Sequence, residues 1–386
     1  MTRLSLLQTI AAILSQLGLV TAALIVLLGA AMIFRRRLGI LGHTMTSPVG
    51  LIGLMLVLFW VLVGLMAPGL VVQDPLLQIT DMKNALPGSR LTLPDGTTVT
   101  YLLGGDVLGR DVFSRALAGA REVLMIAPPA AALAYMVGIA LGLPAGYFGG
   151  AFDAVVGFFA NALLSFPVIL LFFLLVSPEV RDSAIPAGIA AVLFVLPTFF
   201  LLAAVNSRLF VAPTRRNWVL GLLLAFMAWL VAGVVFDADP LGMVSLDPNI
   251  LNVFVAVAFI NAPTVFRIVR GAAMDLRARD YVQAALTRGE GPWYIMCWEI
   301  LPNARGPLIV DFCLRIGYTT ILLGALGFFG LAVSPESPDW GSTISEGRKL
   351  MAIFPHIALA PALCLVSFVL GLNLLANALR EESLRD

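Results

Sequence analysis

Charge is scarce in this sequence. Only 12% of its 386 residues are Asp, Glu, Lys or Arg, whereas 60% are hydrophobic and the mean hydropathy is +0.97. An average soluble domain carries about 25% charge and about 45–50% apolar residues, a gap that an unusually large core does not close. The shortage excludes a soluble globular chain and places this one among membrane proteins. Net charge is +1, so nothing in the balance points to nucleic acid. Cysteine and histidine are equally sparse. Cys297, Cys313 and Cys364 form no CxxC pair and read as small packing residues. His43 and His356 are too few and too far apart for a metal cluster. No GxxxxGK[ST] phosphate loop occurs, so the chain does not bind ATP by that device.

What is abundant is long apolar runs, and a span needs about 20 such residues. The first lies at 9–34 and ends in Arg35-Arg36-Arg37. Its basic cluster follows the apolar run instead of preceding it, and no small-residue cleavage site comes next, so a retained helix is expected and not a signal peptide. The second, 49–72, stops before Pro75. A polar stretch over 73–121 follows, in which 91–101 alternates around Pro94-Asp95-Gly96 and predicts a small hairpin. Further spans are expected at 123–146, 153–176, 184–205, 217–236, 250–270, 307–331 and 355–378. The expected fold is an all-α polytopic bundle of about nine transmembrane helices.

Charges orient it. With the N-terminus outside, the cytoplasmic pieces are 35–48, 147–152, 206–216, 271–306 and the tail. They carry Arg35 to Arg37, Arg208, Arg215, Arg216, Arg277, Arg279, Arg288, Arg305, Arg380 and Arg385, with Arg267 and Arg270 at a helix end, while the turn at Gly146–Gly150 has no basic residue and is silent. The opposite loop, 237–249, holds Asp237, Asp239 and Asp247 and no Lys or Arg. The short loops therefore obey the positive-inside rule, with the C-terminus cytoplasmic. The 73–121 loop does carry basic residues, but long loops cross largely regardless of charge.

The loop 271–306 is polar to amphipathic and lies between two spans on the basic side. A short helix from Tyr281 through Gln283, Ala284 and Ala285, a break at Gly289 to Pro292, and a second helix from Trp293 to Trp298 ending at Leu301-Pro302 are predicted. Such a helix–Gly–helix unit, with small Ala side chains on an apolar face, fits a groove on a soluble partner.

At these residues the sequence resembles the coupling loop of ABC importer permeases: Glu-Ala-Ala, three residues, Gly, then Leu-Pro about a dozen residues on. The matching residues are Ala284, Ala285, Gly289, Leu301 and Pro302, with Gln283 where the family usually has Glu. The run from Gly105 through Asp106, Gly109, Arg110, Asp111, Ser114 and Arg115 resembles the GTDxLGRDxxSR signature of the second, C-type permeases of dipeptide and oligopeptide importers. Gly119-Ala120-Arg121, Ala145 to Gly150, Ser165-Phe166-Pro167, Phe328 to Leu331, Pro338-Asp339-Trp340-Gly341, Glu346-Gly347-Arg348 and Asn373-Leu374-Leu375 continue the likeness in order.

The resemblance implies a pore subunit in the inner membrane, itself in contact with membrane lipid and paired with a second homologous permease, two cytoplasmic ABC ATPases and an extracytoplasmic solute-binding protein. ATP and magnesium are expected on the ATPases, with no cofactor and no covalent chemistry in this chain. It also implies a six-helix core, so three helices are extra: the one in 1–48 and the pair at 184–236. The first core helix and long external loop then occupy 49–121, and 122–386 holds the remaining permease domain. Peripheral, lipid-facing positions are expected for the extra helices, with a hold on an accessory subunit as the alternative. The 105–115 motif either contacts the binding protein or forms a structural elbow. Asp311 and Arg315, one helical turn apart, either pair with each other or line a gate. Asn161, Asn261 and Asn373 suggest interhelical hydrogen bonds. The rival class is an ion-coupled secondary transporter, which needs repeats and mid-membrane ionisable residues; a membrane-bound enzyme needs an interfacial cluster of reactive side chains, and none stands out.

Overall fold

The computed structural model describes residues 2–94, 96–236, 238–239, 242, 248–331 and 337–383. Asp95 of the hairpin turn, Asp237, Asp247 and Arg385 lie outside the described residues. In chain order the chain forms β1 (Thr2–Arg3), α1 (Leu6–Gln16), α2 (Gly18–Ile33), α3 (Ile40–Thr44), α4 (Pro48–Leu70), β2 (Ser89–Thr92) and β3 (Thr98–Tyr101). Then come α5 (Val112–Phe148), α6 (Gly150–Ser165), α7 (Val168–Val176), α8 (Pro178–Arg181), α9 (Ile185–Arg208), α10 (Pro213–Phe236) and α11 (Pro248–Leu276). The last third holds α12 (Asp280–Thr287), α13 (Pro292–Tyr294), a π-helical turn (Ile295–Ile300), α14 (Leu301–Asn303), α15 (Arg305–Phe328), α16 (Trp340–Arg348) and α17 (His356–Ser383). Among the described residues seven helices are long and apolar enough to cross a membrane, and nine spans result if two bent pairs each count as one.

The bent pairs fall at two of the expected spans, 9–34 and 153–176. α1 and α2 meet at 53°, and α6 and α7 at 89°. The second break sits at Phe166, whose backbone is extended (ψ 141°) because the following Pro167 excludes the helical conformation there. α5 begins well before the expected 123, since the buried residues ahead of it cap its N-terminus.

The chain divides into two compact units, one of Met1–Ala127 with Cys313–Asp386 and the other of Pro128–Phe312. In the first unit α4 and α17 approach backbone to backbone. A Cβ on Gly53 would lie 2.5 Å from the Leu375 nitrogen, and one on Gly371 2.7 Å from Leu56 Cβ. Without a hydrophobic drive inside lipid, such small-residue contacts are what hold helices together. Trp60 Nε1 donates to Ser367 Oγ across the same interface at 2.9 Å. The predicted hairpin is present as β2 and β3, paired from Ser89–Tyr101 to Thr92–Thr98. An unforeseen third strand, β1, adds antiparallel to β2 with Thr2 opposite Arg90. Ser5 and Gln8 then form a capping box that starts α1.

In the second unit Gly138, Gly142 and Gly146 of α5 form a small-residue stripe against α11. A Cβ on Gly142 would meet the Phe266 carbonyl oxygen and Val269 Cβ at 2.9 Å. α9 packs beside α10 and α11, burying Ala190, Leu193 and Phe194 with Val255, Ala258 and Ala262. Asn261 and Asn373 donate to the carbonyls of Val257 and Val369, four residues back in their own helices. An amide on a helix reaches its own preceding turn without help from a neighbour.

Candidate functional site

The 105–115 motif resolves into a buried acid–base cluster in the first unit. Asp106 is fully buried, and one carboxylate oxygen accepts from the backbone nitrogens of Leu108 (2.8 Å) and Arg110 (2.9 Å). The other accepts Arg110 Nε at 2.6 Å. Gly109 closes this turn at φ +81°, where a Cβ would stand 2.1 Å from the Ile79 carbonyl oxygen. Tyr101 Oη donates to the Gly109 carbonyl at 2.8 Å. Asp111 caps α5, accepting from the Ser114 nitrogen (3.0 Å) and hydroxyl (2.6 Å), and its charge suits the positive end of the helix dipole. Burial pushes the Asp111 carboxyl up to about 6, against the pull of those hydrogen bonds.

The later motifs close on the same place. Arg110 donates to Glu346 on α16 as well as to Asp106. Arg115 is fully buried; it donates to Thr343 Oγ1 at 3.1 Å and to the Ser337 carbonyl at 3.2 Å. Asp339 caps α16 through the Ser342 nitrogen at 2.9 Å, and burial holds its carboxyl above the usual range. Trp340 Nε1 donates to the Ala116 carbonyl at 2.8 Å, and the ring lies where a side chain on Gly119 would have to be. Asp106, Gly109, Arg110 and Asp111 are all buried in this turn, while Leu108 between them is exposed.

The 280–303 segment, in the second unit, is a helix, a glycine turn and a second helix. α12 ends in a Schellman motif: Glu290 N bonds to the Ala285 carbonyl (3.2 Å) and Gly289 N to that of Leu286 (3.0 Å), with Gly289 at φ +80°. Arg288 reaches across the turn to Glu299 at 2.9 Å and locks the two halves together. The second half does not end at Leu301-Pro302 as expected. It runs from Pro292 through the π turn to Asn303, and that wider turn lets Pro302 lie within helical backbone.

Its faces are sorted by period. Val282 and Ala285, three apart, are buried with Ile295, Met296 and Ile300. Tyr281 and Leu301 are partly buried, while Gln283, Ala284, Gly289 and Pro302 are exposed. Of the two alanines only Ala284 is outward, since Ala285 belongs to the inner packing. Gln283 donates its amide to the Arg277 carbonyl at 3.3 Å, a bond that an ionised carboxylate at this position has no proton to make. Arg277 donates at 3.1 Å to the Gly146 and Tyr147 carbonyls at the end of α5, tethering the start of the segment.

Asp311 accepts a hydrogen bond from the Tyr135 hydroxyl, and the Arg315 guanidinium lies 6.0 Å from the ring centroid of Tyr318. The sequence reading missed Tyr135 as a partner of Asp311, and Ser337 and Thr343 as partners of Arg115. It also missed Asp153–Arg270, an ion pair joining α6 to α11.

Residues 138–381, more than half of the chain, match the family described as binding-protein-dependent transport system inner membrane component. The chain belongs to this family. Among its relatives are the glutathione transport system permease protein GsiD of Pectobacterium atrosepticum, 29% identical over 78% of this chain and 77% of that one. The dipeptide transport system permease protein DppC of Haemophilus influenzae is 27% identical over 86% and 88%. The di/tripeptide transport system permease protein DppC of Pseudomonas aeruginosa is 27% identical over 85% of each. The protein is a multi-pass inner-membrane permease component of a binding-protein-dependent importer, and the region matched to the family contains both the 280–303 segment and α16.

Proposed function

We propose that this permease is one of two homologous pore subunits of an ATP-driven importer of short peptides. Two ABC ATPases drive it, one of them docking on this chain's 280–303 segment, and a solute-binding protein delivers cargo from the other side. The observation that carries this is the segment itself: a glycine-hinged pair of helices pinned by Arg288–Glu299, with Gln283 and Ala284 outward. A rigid piece of this kind moves as a body when a partner moves, which is what switching a pore requires. The peptide cargo rests on the relatives, named for dipeptides, di/tripeptides and glutathione, itself a tripeptide.

On this reading the chain does no covalent chemistry and holds no cofactor; ATP and magnesium sit on the ATPases. Six helices make the core, and the 1–48 helix and the 184–236 pair are additions. The N-terminus lies outside and the C-terminus inside. Pairing of β1 with β2 supports this, because it puts the N-terminus on the same side as the 73–121 loop. Asp311 with Tyr135, and Arg315 one turn on, form a polar step on α15 that serves as a pathway or gate position.

Reconstitution into liposomes with the partner permease, ATPases and binding protein tests the function. Uptake of a labelled dipeptide is expected to require enclosed ATP at the ATPase face and to survive collapse of ion gradients by ionophores. Uptake that needs an ion gradient and ignores ATP would instead establish the secondary transporter.

A further inference from the structure

The α9–α10 pair, expected at the lipid-facing periphery, has one end against the 280–303 segment. Phe200 and Ala204, one turn apart on α9, are buried in the same apolar cluster as Val282, Ala285, Ile295 and Met296. The rings of Phe199 and Phe200 stand 5.9 and 6.2 Å from that of Trp293, both edge to face. Arg208, in the last turn of α9, places its guanidinium 4.1 Å from the ring centroid of Trp298. Its charge also suits the carbonyl end of its own helix, which favours that position. Higher up, α9 is fixed to α11 through Leu193, Phe194, Val255 and Ala258. Leu220 and Leu224 of α10 line a groove of about 950 Å³ shared with Glu290 and Trp293.

The segment is joined covalently to α11 through 277–279 and to α15 through Ala304. Two chain links leave rotation about the line between them, which contacts away from that line oppose; packing of Val282 and Ile300 with Leu143, Val265 and Val269 is one such hold, and the contact with α9 is a second. We infer that the α9–α10 pair is this second anchor, with Arg208 and Phe200 as positioning residues that set the segment's angle through Trp298 and Trp293. The consequence for transport rests on the proposed ATPase-docking role of the segment; the anchoring itself does not.

Arg208 is exposed, so its replacement leaves folding intact. The test compares wild type with Arg208→Ala and Arg208→Lys in the full chain. The first readout is amide hydrogen exchange over 280–303 in the purified permease without ATPases. Arg208→Ala is expected to speed exchange by about fivefold, the factor for losing one partly exposed cation–π contact, and Arg208→Lys to restore it. The second readout, in the assembled importer, is solute moved per ATP hydrolysed, expected to fall in Arg208→Ala and to recover in Arg208→Lys. Unchanged exchange in Arg208→Ala overturns the proposal; faster exchange with an unchanged solute-to-ATP ratio supports the anchor and overturns its consequence for transport. If exchange responds as expected but charge placed at Ala284 leaves the ATPases bound, the anchor stands and the docking role fails.

Discussion

Arg110 bonds to Glu346, 236 positions further along the chain, while its Nε holds Asp106 at 2.6 Å. One guanidinium thus joins the turn ahead of α5 to α16, and both Asp106 and Arg110 are almost wholly removed from solvent.

Removing Arg110 takes the closer of two cations from the buried Asp106 carboxylate and leaves it with Arg115 at 3.8 Å, toward the low end of the about 3–5 kcal/mol for breaking a buried pair. Arg110→Met is expected to lower the thermal unfolding midpoint of the detergent-purified protein sharply. Glu346→Gln is expected to do so less, because Glu346 is 28% exposed and water compensates. Arg110→Lys rescues little, since a single ammonium does not reproduce the fork.

How much of this was legible depended on sequence distance. The 91–101 hairpin announced itself by alternation around a turn within ten residues, and the apolar runs gave most spans. The inward turn of Val282 and Ala285 was also available, as a three-residue period in a short helix. The cluster around Arg110 and Arg115 was not, because Ser337, Thr343 and Glu346 lie more than 200 residues away and charge order carries no record of such pairing. The break at Phe166-Pro167 was written in the sequence. Many membrane helices absorb a proline without breaking, as α9 does at Pro197, so the proline alone did not decide it.

The Asp111 carboxyl sets a pH dependence. Its folded value, about 6, lies above the ordinary 3.8, so the folded form binds the proton more tightly. The contribution to stability is full below about pH 4 and is lost as pH rises through about 6. Thermal unfolding of wild type against Asp111→Asn across pH 4–7 is expected to show that decline in wild type and its absence in the variant.

At Gly289 the backbone is left-handed, φ +80° with open space around it, so only conformation opposes a side chain. Gly289→Ala is expected to cost about 1–2 kcal/mol. Amide exchange of 280–288 would speed by roughly fivefold or more, with Gly289→Asn intermediate because Asn tolerates this region.

The glycine stripe on α5 is tested by contrast. Gly142→Leu drives a side chain into the Phe266 carbonyl and Val269 of α11, whereas a Cβ at Gly157 of α6 meets nothing within 4 Å. Overpacking of this kind costs about 1–3 kcal/mol. Gly142→Leu is expected to reduce folded yield and midpoint, and Gly157→Leu to leave both near wild type.

The central claim, that ATPases grip the outward face of 280–303, is tested most directly by co-purification with the candidate ATPases. Ala284→Asp puts a charge on that face without touching the Val282–Ala285 packing, so the permease should remain folded by size-exclusion profile and melting. The account predicts that wild type retains the ATPases and folded Ala284→Asp loses at least about tenfold in affinity, as expected for a charge in the centre of an interface. Equal retention by the folded variant would contradict it.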